Sequence, residues 1–310
     1  MYHGFTDNKN HAGIENYQGK HINNDLFRSQ IAYINKHYNI ISLDTYIECC
    51  REGRRLPEKS IIITIDDGYR SNYTIAFPVF RELNIPATIF LTTDFVTNKN
   101  FLWVDRLEYT INKTQAKNLR LKIGNDELTF PLNTKEDKIV CDKFLRGKLK
   151  WMEHELIEKT VTEVEDKLNA KIAVSQNVPK VYEPLDWEEI CEMTKASQVT
   201  IGSHTHQHLI LARYEDKTIQ RELTLSKEII EKETGIKTSL FCYPNGAIGD
   251  FNAKTQQLIK ESGYSCALTT VNGMENEFSD LFELKRLSVD NNDLKSFIIT
   301  ISGVKQIAFS

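Results

Sequence analysis

Short apolar runs that alternate with segments of helical period are the main pattern along this chain. The apolar runs predict strands over residues 39–43, 60–65, 87–92, 199–203, 239–243, 265–270 and 284–289. Apolar positions spaced as on one face of a helix predict helices over residues 25–38, 43–51, 69–83, 214–234, 252–262 and 293–301. Strands that alternate with helices through short connections favour a parallel sheet. Six or seven such units suit a barrel of parallel strands.

Residues 97–180 interrupt this alternation. We predict one helix whose apolar face includes Trp103, Leu107 and Ile111, then a small hairpin over 119–130 and a long charged helix over 134–171. We interpret the segment as an insertion in one domain that covers residues 1–310. Its charges are predicted to form a solvated helix face.

Two adjacent acids end the most apolar run of the first half, Ser60 to Gly68. Burying an ionised carboxylate without a partner is prohibitive, so Asp66 and Asp67 should lie where the strand leaves the core. That end of a parallel strand is where barrels and open α/β sheets place their chemistry. A plain Asp-Gly turn is the alternative interpretation.

Three histidines follow a second apolar run in the same way. His204, His206 and His208 come directly after the predicted strand 199–203, among eight histidines in the whole chain. If this segment is helical, the spacing of four puts His204 and His208 on one face, while His206 points away and is either structural or in contact with the ligands rather than the metal. Two histidines and one carboxylate, from Asp66 or Asp67, describe a catalytic zinc site with an open position for water. A loop with solvated histidines is the alternative.

A third run ends in a turn, Phe241 to Gly246. Backbone N–H groups after Pro244 are placed to stabilise an oxyanion if they face the same pocket. A plain Pro-Asn-Gly turn explains the local sequence equally well.

Composition narrows the class of protein. The chain has 310 residues, of which 40% are hydrophobic and 26% charged, and its formal net charge is −4. Nothing indicates the basic face that a nucleic-acid-binding protein needs, and no apolar run reaches the roughly 20 residues of a membrane-spanning helix. No secretory leader is visible, which predicts a cytoplasmic, possibly membrane-adjacent, protein or one whose leader was removed. Six scattered cysteines without a CxxC pair indicate reduced thiols.

Three motifs together resemble those of the polysaccharide deacetylases, the NodB-homology domain of carbohydrate esterase family 4. They are Thr64–Gly68, Gly202–His208 and Tyr243–Gly246, with weaker matches at residues 2–3, 185–187 and 284–287. The resemblance spans most of the chain outside 97–180. It implies a distorted (β/α) barrel of about seven parallel strands with a mostly helical insertion. It also implies a hydrolase that uses a metal to remove N-acetyl groups from a sugar or glycan, cleaving a C–N bond that is not a peptide bond.

The resemblance assigns roles to individual residues. By the family pattern, Asp67, His204 and His208 bind the metal, and Asp66 is the general base that activates the metal-bound water. The backbone N–H of Asn245 is then the candidate oxyanion donor. Zinc is the expected metal, although two imidazoles and a carboxylate also accept cobalt, nickel or iron.

Two features of the family pattern are missing. The usual arginine just upstream of the third motif is absent, and so is the late Leu-x-Leu-His motif, because no histidine follows His208. We therefore name His3 as the candidate general acid and Arg286 as the candidate replacement for the arginine. Two other functions stay open: a catalytically impaired carbohydrate-binding protein, and a hydrolase of a non-sugar amide or an O-acetyl ester. The predicted substrate is an acetylated sugar or glycan, such as a nucleotide- or lipid-linked precursor.

Overall fold

The computed structural model describes residues 1–173, 178–289 and 293–303 in two compact units. The first unit consists of Met1–Asp7, Gly19–Asn98 and Glu183–Ser310, and the second of Asn8–Gln18 and Lys99–Tyr182. The prediction of a single domain with an insertion at 97–180 stays a prediction.

Strands and helices alternate through the first unit, and the second unit is mostly helical. Within the described residues the strands are β1 (Gly4–Thr6), β2 (His21–Asn23), β3 (Asn39–Ile40), β4 (Ser60–Ile61), β5 (Thr64–Ile65), β6 (Ala87–Leu91), β7 (Asn118–Ile123), β8 (Asp126–Pro131), β9 (Val199–Ser203), β10 (Leu240–Cys242), β11 (Cys266–Asn272) and β12 (Leu284–Arg286). The α-helices are α1 (Asn24–His37), α2 (Leu43–Glu52), α3 (Phe77–Leu83), α4 (Thr93–Asn98), α5 (Trp103–Lys113), α6 (Lys135–Leu149), α7 (His154–Leu168), α8 (Trp187–Lys195), α9 (Asp216–Thr234), α10 (Ala253–Glu261) and α11 (Leu294–Ile301). None of the described helices is both long and apolar enough to cross a membrane.

A six-stranded parallel sheet in the order β12-β11-β10-β9-β6-β5 forms the core of the first unit. The first two residues of the chain connect its two outer strands. Tyr2 donates its backbone N–H to the carbonyl of Thr64 (2.9 Å), and Met1 donates to the carbonyl of Leu287 just after β12 (2.9 Å). With Met1 and Tyr2 in the seventh position, the predicted distorted barrel of about seven parallel strands is confirmed.

Strand β6 pairs with β5 on one side and with β9 on the other, and all five of its side chains are buried. Continuous burial is typical of a parallel strand that is covered on both faces. Gly202 of the neighbouring strand β9 packs against it. A Cβ atom at Gly202 would lie 2.5 Å from the Phe90 ring and 3.0 Å from the carbonyl oxygen of Leu240. The absence of a side chain at Gly202 therefore allows three adjacent strands to pack closely.

The prediction of one strand over residues 60–65 was wrong. Strand β4 pairs with β3 in a separate two-stranded sheet, whereas β5 pairs with β6 in the main sheet. Ile62 and Ile63 connect the two strands. An apolar run shows that its residues are shielded from water, but it does not show which strand accepts their hydrogen bonds.

Helix boundaries agree better with the sequence pattern. Pro78 lies in the first turn of α3, after a π-helical turn over Asn72–Ala76, so the regular α-helix begins later than the predicted residue 69. Asp186 caps α8, accepting a hydrogen bond from the N–H of Glu189. Gly235 ends α9 with a left-handed φ of 72°, as a C-terminal glycine commonly does.

The second unit contains the predicted hairpin, formed by β7 and β8. The predicted helix over 134–171 is instead two helices, α6 and α7, separated by a turn at residues 150–153. Both helices contribute apolar side chains to one core, which includes Leu145, Leu149 and Val161. The apolar pattern therefore continues through the break, and periodicity alone could not reveal it.

The prediction that the charges of this segment form a solvated face is partly wrong. Asp142 is fully buried, and Arg146 pairs with it (2.6 Å) and with the buried Glu108 (3.2 Å). Burial raises the pKa of Glu108 to about 7, although Arg146 opposes this shift. A buried charge needs a partner, and here Arg146 is the partner of Asp142 on the same helix and of Glu108 on α5.

Replacing Gly202 by alanine should destabilise the first unit by about 1–3 kcal/mol, because the added methyl group has no space between Phe90 and the Leu240 carbonyl. Urea titration followed by circular dichroism measures the loss. Gly147→Ala in α6 is the control, because nothing lies within 4 Å of a Cβ atom there. It should be neutral or stabilising by about 0.5–1 kcal/mol. Equal stabilities of Gly202→Ala and the unmodified protein would contradict the packing argument.

Candidate metal centre

The two polar clusters predicted from the sequence lie at the carboxyl ends of two strands in one sheet. Asp66 and Asp67 follow β5, and His204 follows β9. Both strands pair with β6, one on each side. Residues nearly 140 positions apart in the sequence therefore reach the same edge of the sheet.

Asp67, His204 and His208 form one of the two groups with metal-ligand spacing among the described residues. The Oδ1 atom of Asp67 lies 3.6 Å from Nε2 of His204 and 3.4 Å from Nε2 of His208. Two ligands held about 2.1 Å from one tetrahedral zinc ion are about 3.4 Å apart. Asp67 and His204 are buried and His208 is half-buried. The three side chains thus fit a single divalent cation.

Hydrogen bonding also selects the form of His204 that a cation requires. Its Nδ1 atom lies 2.8 Å from the carbonyl oxygen of Cys242. A carbonyl only accepts, so Nδ1 carries the hydrogen and Nε2 presents its lone pair toward Asp67. Burial lowers the pKa of His204 to about 4, against the opposing effect of Asp66. The imidazole is therefore neutral near pH 7.

The two histidines converge through a loop and not through a helix, so the helical argument for their spacing was wrong. Thr205 and His208 have left-handed φ values of 64° and 59°. Such angles are costly for residues other than glycine and persist only where the surroundings hold them. Glu222, buried on α9, accepts hydrogen bonds from the backbone N–H groups of His206 (3.0 Å) and Gln207 (2.8 Å) and so restrains this loop.

His206 lies outside the group, as predicted. Its Nδ1 atom is 2.9 Å from the hydroxyl of Thr93, and its Nε2 atom is 3.8 Å from Asp94. These contacts connect the histidine loop to the start of α4.

Asp66 is held by Arg286. The guanidinium of Arg286, at the end of β12, donates to Oδ1 (2.8 Å) and Oδ2 (2.7 Å) of Asp66, and its Nε donates to the carbonyl of Thr269 (2.7 Å). Burial acts to raise the pKa of Asp66, but the charge and hydrogen bonds of Arg286 outweigh it, and the pKa falls to about 2. Asp66 is therefore ionised at every pH at which an acid–base reaction near neutrality would run.

Cys242, at the end of β10, is a neighbour that the sequence interpretation missed. Its Sγ atom lies 3.0 Å from the Arg286 guanidinium and 3.6 Å from Oδ2 of Asp66. Asp66, His204 and Cys242 form a second group with metal-ligand spacing. The guanidinium that contacts both Asp66 and Cys242 puts a positive charge against any cation there, so this group is the poorer candidate. The position of Cys242 directly before the Tyr243–Gly246 motif was the sequence signal that could have identified this residue.

Lys20 is the second missed residue. Its Nζ atom lies 3.0 Å from Oδ2 of Asp67 and donates to the hydroxyl of Tyr69. Burial acts to raise the pKa of Asp67, but Lys20 and His208 outweigh it and hold the pKa well below its usual range. Lys20 comes from the polar stretch before β2, where nothing in the local sequence distinguishes it from any other loop lysine.

His3 and Asn245 differ in their relation to this centre. His3 is half-buried, and burial lowers its pKa while the charges of Asp67 and Asp66 act to raise it, so it lies within the field of both carboxylates. Asn245 lies in the exposed turn after β10, and its carbonyl accepts a hydrogen bond from Thr270 (2.5 Å). Among the described residues, no hydrogen bond joins Asn245 to the two acids or to His204 and His208. Both roles stay predictions.

Sequence comparison finds relatives that match only part of this chain. One is the poly-β-1,6-N-acetyl-D-glucosamine N-deacetylase of Escherichia coli (strain K12), which is 36% identical over 67 residues, or 21% of this chain and 10% of the relative. The protein of the same name from Staphylococcus epidermidis is 34% identical over 89 residues, 28% of this chain and 29% of its own length. The putative polysaccharide deacetylase YxkH of Bacillus subtilis is 21% identical over 238 residues, 77% of this chain and 54% of the relative. The chain therefore spans less than two thirds of the length of each.

Structure comparison extends the similarity to nearly the whole chain. The Streptococcus pyogenes deacetylase PplD in complex with acetate superposes with a TM-score of 0.63 at 16% identity, covering 97% of this chain and 96% of that one. IcaB from Ammonifex degensii superposes with a TM-score of 0.60 at 15% identity, covering 97% and 93%. At such low identity the similarity supports the fold alone.

A profile of one protein family covers the candidate centre itself. The profile described as polysaccharide deacetylase matches residues 53–267, which is more than half of the chain. The matched range includes the Asp66-Asp67 pair, the histidine loop and the turn after β10. On this evidence the chain belongs to the polysaccharide deacetylase family.

Proposed function

We propose that this protein is a metal-dependent N-deacetylase that removes acetyl groups from the amino sugars of a polysaccharide or glycan. One observation carries the proposal: a triad of Asp67, His204 and His208 with ligand spacing lies beside an ionised Asp66. Two of the relatives are named for deacetylating poly-β-1,6-N-acetyl-D-glucosamine, which supports a polymer of N-acetylated sugars as the substrate class.

The metal in this proposal is zinc, held by Nε2 of His204, Nε2 of His208 and Oδ1 of Asp67. A bound zinc ion would supply Lewis-acid activation of water and of the acetyl carbonyl. Two imidazoles and one carboxylate are a donor set that catalytic zinc sites use. The hydrogen bond from Nδ1 of His204 to the Cys242 carbonyl orients one of these ligands and leaves its Nε2 unprotonated.

Asp66 acts as the general base. It accepts the proton of the attacking water, whose oxygen bonds to the acetyl carbon. Arg286 donates to both carboxylate oxygens, which keeps Asp66 ionised and fixes the plane of its carboxylate. The same burial that makes the site dry would otherwise favour the protonated, inactive form of this residue.

Breaking the C–N bond then needs a proton on the departing nitrogen. We assign His3 as the donor, because it lies within the field of both carboxylates: burial lowers the pKa of its imidazole, and the charges of Asp67 and Asp66 act against that shift. The backbone N–H of Asn245 is the proposed donor to the oxyanion. The products are acetate and a free amine on the sugar.

Asp66→Asn should still bind zinc but lose at least about 10²-fold in the rate of acetate release, since the amide cannot accept the proton. Zinc content by mass spectrometry and acetate release from N-acetylglucosamine oligomers measure the two effects. His204→Ala and Asp67→Asn are the matched controls, and they should lose both the activity and the metal. An Asp66→Asn protein with normal turnover would show that another group is the base.

Arg286→Lys keeps a positive charge but cannot form the paired hydrogen bonds to Asp66, whereas Arg286→Met removes both. Because burial raises the pKa of Asp66 once Arg286 is weakened, the acid limb of the kcat/KM profile should move to higher pH, most in Arg286→Met. Lys285→Met, at the exposed neighbouring position of β12, should leave the profile unchanged. Acid limbs that coincide in all four proteins would separate Arg286 from the ionisation of Asp66.

His3→Gln should lower kcat by about 10²-fold without changing zinc content, because a carboxamide is too weak an acid to transfer a proton to the leaving amine. The exposed His37→Gln on α1 is the control and should behave as the unmodified protein. Unchanged kcat in His3→Gln would remove His3 from the mechanism.

A further inference from the structure

Asp67 uses its two oxygens for different partners. Oδ1 faces the imidazoles of His204 and His208 at 3.6 and 3.4 Å. Oδ2 faces the ammonium group of Lys20 at 3.0 Å. Oδ1, which would bind a metal ion, is therefore distinct from Oδ2, which already pairs with the Lys20 ammonium group.

Lys20 is held in this position by more than its charge. Its ammonium group donates to the hydroxyl of Tyr69 and lies 4.6 Å from the centre of the Tyr69 ring. Tyr69 is fully buried, and the side chain of Lys20 is only 21% exposed. A cation over an aromatic ring and against a buried carboxylate is more firmly placed than a surface lysine, whose ion pairs contribute little.

The charge balance of this arrangement is complete without a metal. Asp67 carries one negative charge and Lys20 one positive charge, and Asp66 is paired separately with Arg286. A buried carboxylate that loses its only cation destabilises the fold strongly. When a divalent cation binds Oδ1, two cations share one carboxylate, and like charges a few ångströms apart repel each other in a poorly screened site.

We propose that Lys20 is the built-in counter-charge of Asp67, which stabilises the metal-free protein and weakens the binding of the divalent cation. The claim that Lys20 weakens the binding of the divalent cation rests on the proposed metal-dependent function. The claim that Lys20 stabilises the metal-free protein rests on the Lys20–Asp67 pair alone. This role differs from catalysis, because Lys20 acts through Asp67.

Lys20→Met tests both claims, because methionine has a similar length and no charge. Chelator competition measures the zinc dissociation constant, and thermal unfolding gives Tm with chelator and with saturating zinc. We expect zinc to bind at least about tenfold more tightly to Lys20→Met, since the competing charge is gone. Its metal-free Tm should fall, and the difference from the unmodified protein should shrink when zinc is added, because the metal then supplies the missing charge.

Lys227→Met is the matched control. Lys227 also lies over a tyrosine ring, 5.0 Å from the centre of Tyr264, but it donates to the carbonyl oxygens of Ser262 and Gly263 and to no carboxylate of the centre. Its removal should leave the zinc affinity unchanged. Lys20→Gln is the second neutral variant, because its amide can still donate to Oδ2 of Asp67, and it carries the same expectations if Lys20→Met does not fold.

Equal or weaker zinc binding by the neutral Lys20 variants would overturn the inference, because Lys20 would then only orient Asp67. A metal-free Tm equal to that of the unmodified protein would overturn it as well. Failure of the unmodified protein to bind zinc would instead contradict the proposed metal-dependent function. In that case the metal-free Tm of Lys20→Met still decides whether Lys20 is the counter-charge.

Discussion

The centre depends on two neighbouring buried carboxylates, each of which needs its own positive partner. Asp66 directly follows β5, and Asp67 lies in the turn after it with a left-handed φ of 77°, and the two side chains meet different surroundings. Asp66 meets Arg286 from the last strand of the sheet, and Asp67 meets Lys20 from a loop near the start of the chain. Without these partners burial would protonate both acids. The positions of distant segments are therefore set by the charge at the end of one two-residue strand.

Arg286 is the candidate replacement for the arginine that the family pattern leads one to expect before the third motif. Cys242 lies at the end of β10, next to Asp66, and its short side chain leaves space that the Arg286 guanidinium occupies. Arg286 reaches Asp66 from β12, two strands away from β10 in the sheet. This candidate lies later in the sequence than the third motif, and it forms paired hydrogen bonds to the Asp66 carboxylate.

Sequence reasoning succeeded where a pattern reports on burial and failed where it would have to report on a partner. The strand ends carrying Asp66, Asp67 and His204 followed from apolar runs that stop at polar residues. Lys20 could not be found, because its partner lies 47 positions away and its own surroundings are those of an ordinary loop. Glu222 was missed for the same reason, since its hydrogen-bond partners are backbone N–H groups, which have no sequence signature. His204 and His208 come together as expected, but through a loop and not a helix, because left-handed φ angles cannot be deduced from Thr205 or His208 alone.

The first two residues of the chain have a consequence for how the protein folds and opens. Tyr2 hydrogen-bonds to Thr64 and Met1 to Leu287, and together these contacts form a seam between the two outer strands. The contact between Met1 and Leu287 joins residues that are 286 positions apart. Contacts of such long range form late, because most of the chain must first be ordered around them. Arg286 lies one residue from the seam. A fluctuation that separates the outer strands there therefore also weakens the paired hydrogen bonds between Arg286 and Asp66. The closure of the barrel is in this way coupled to the ionisation of Asp66.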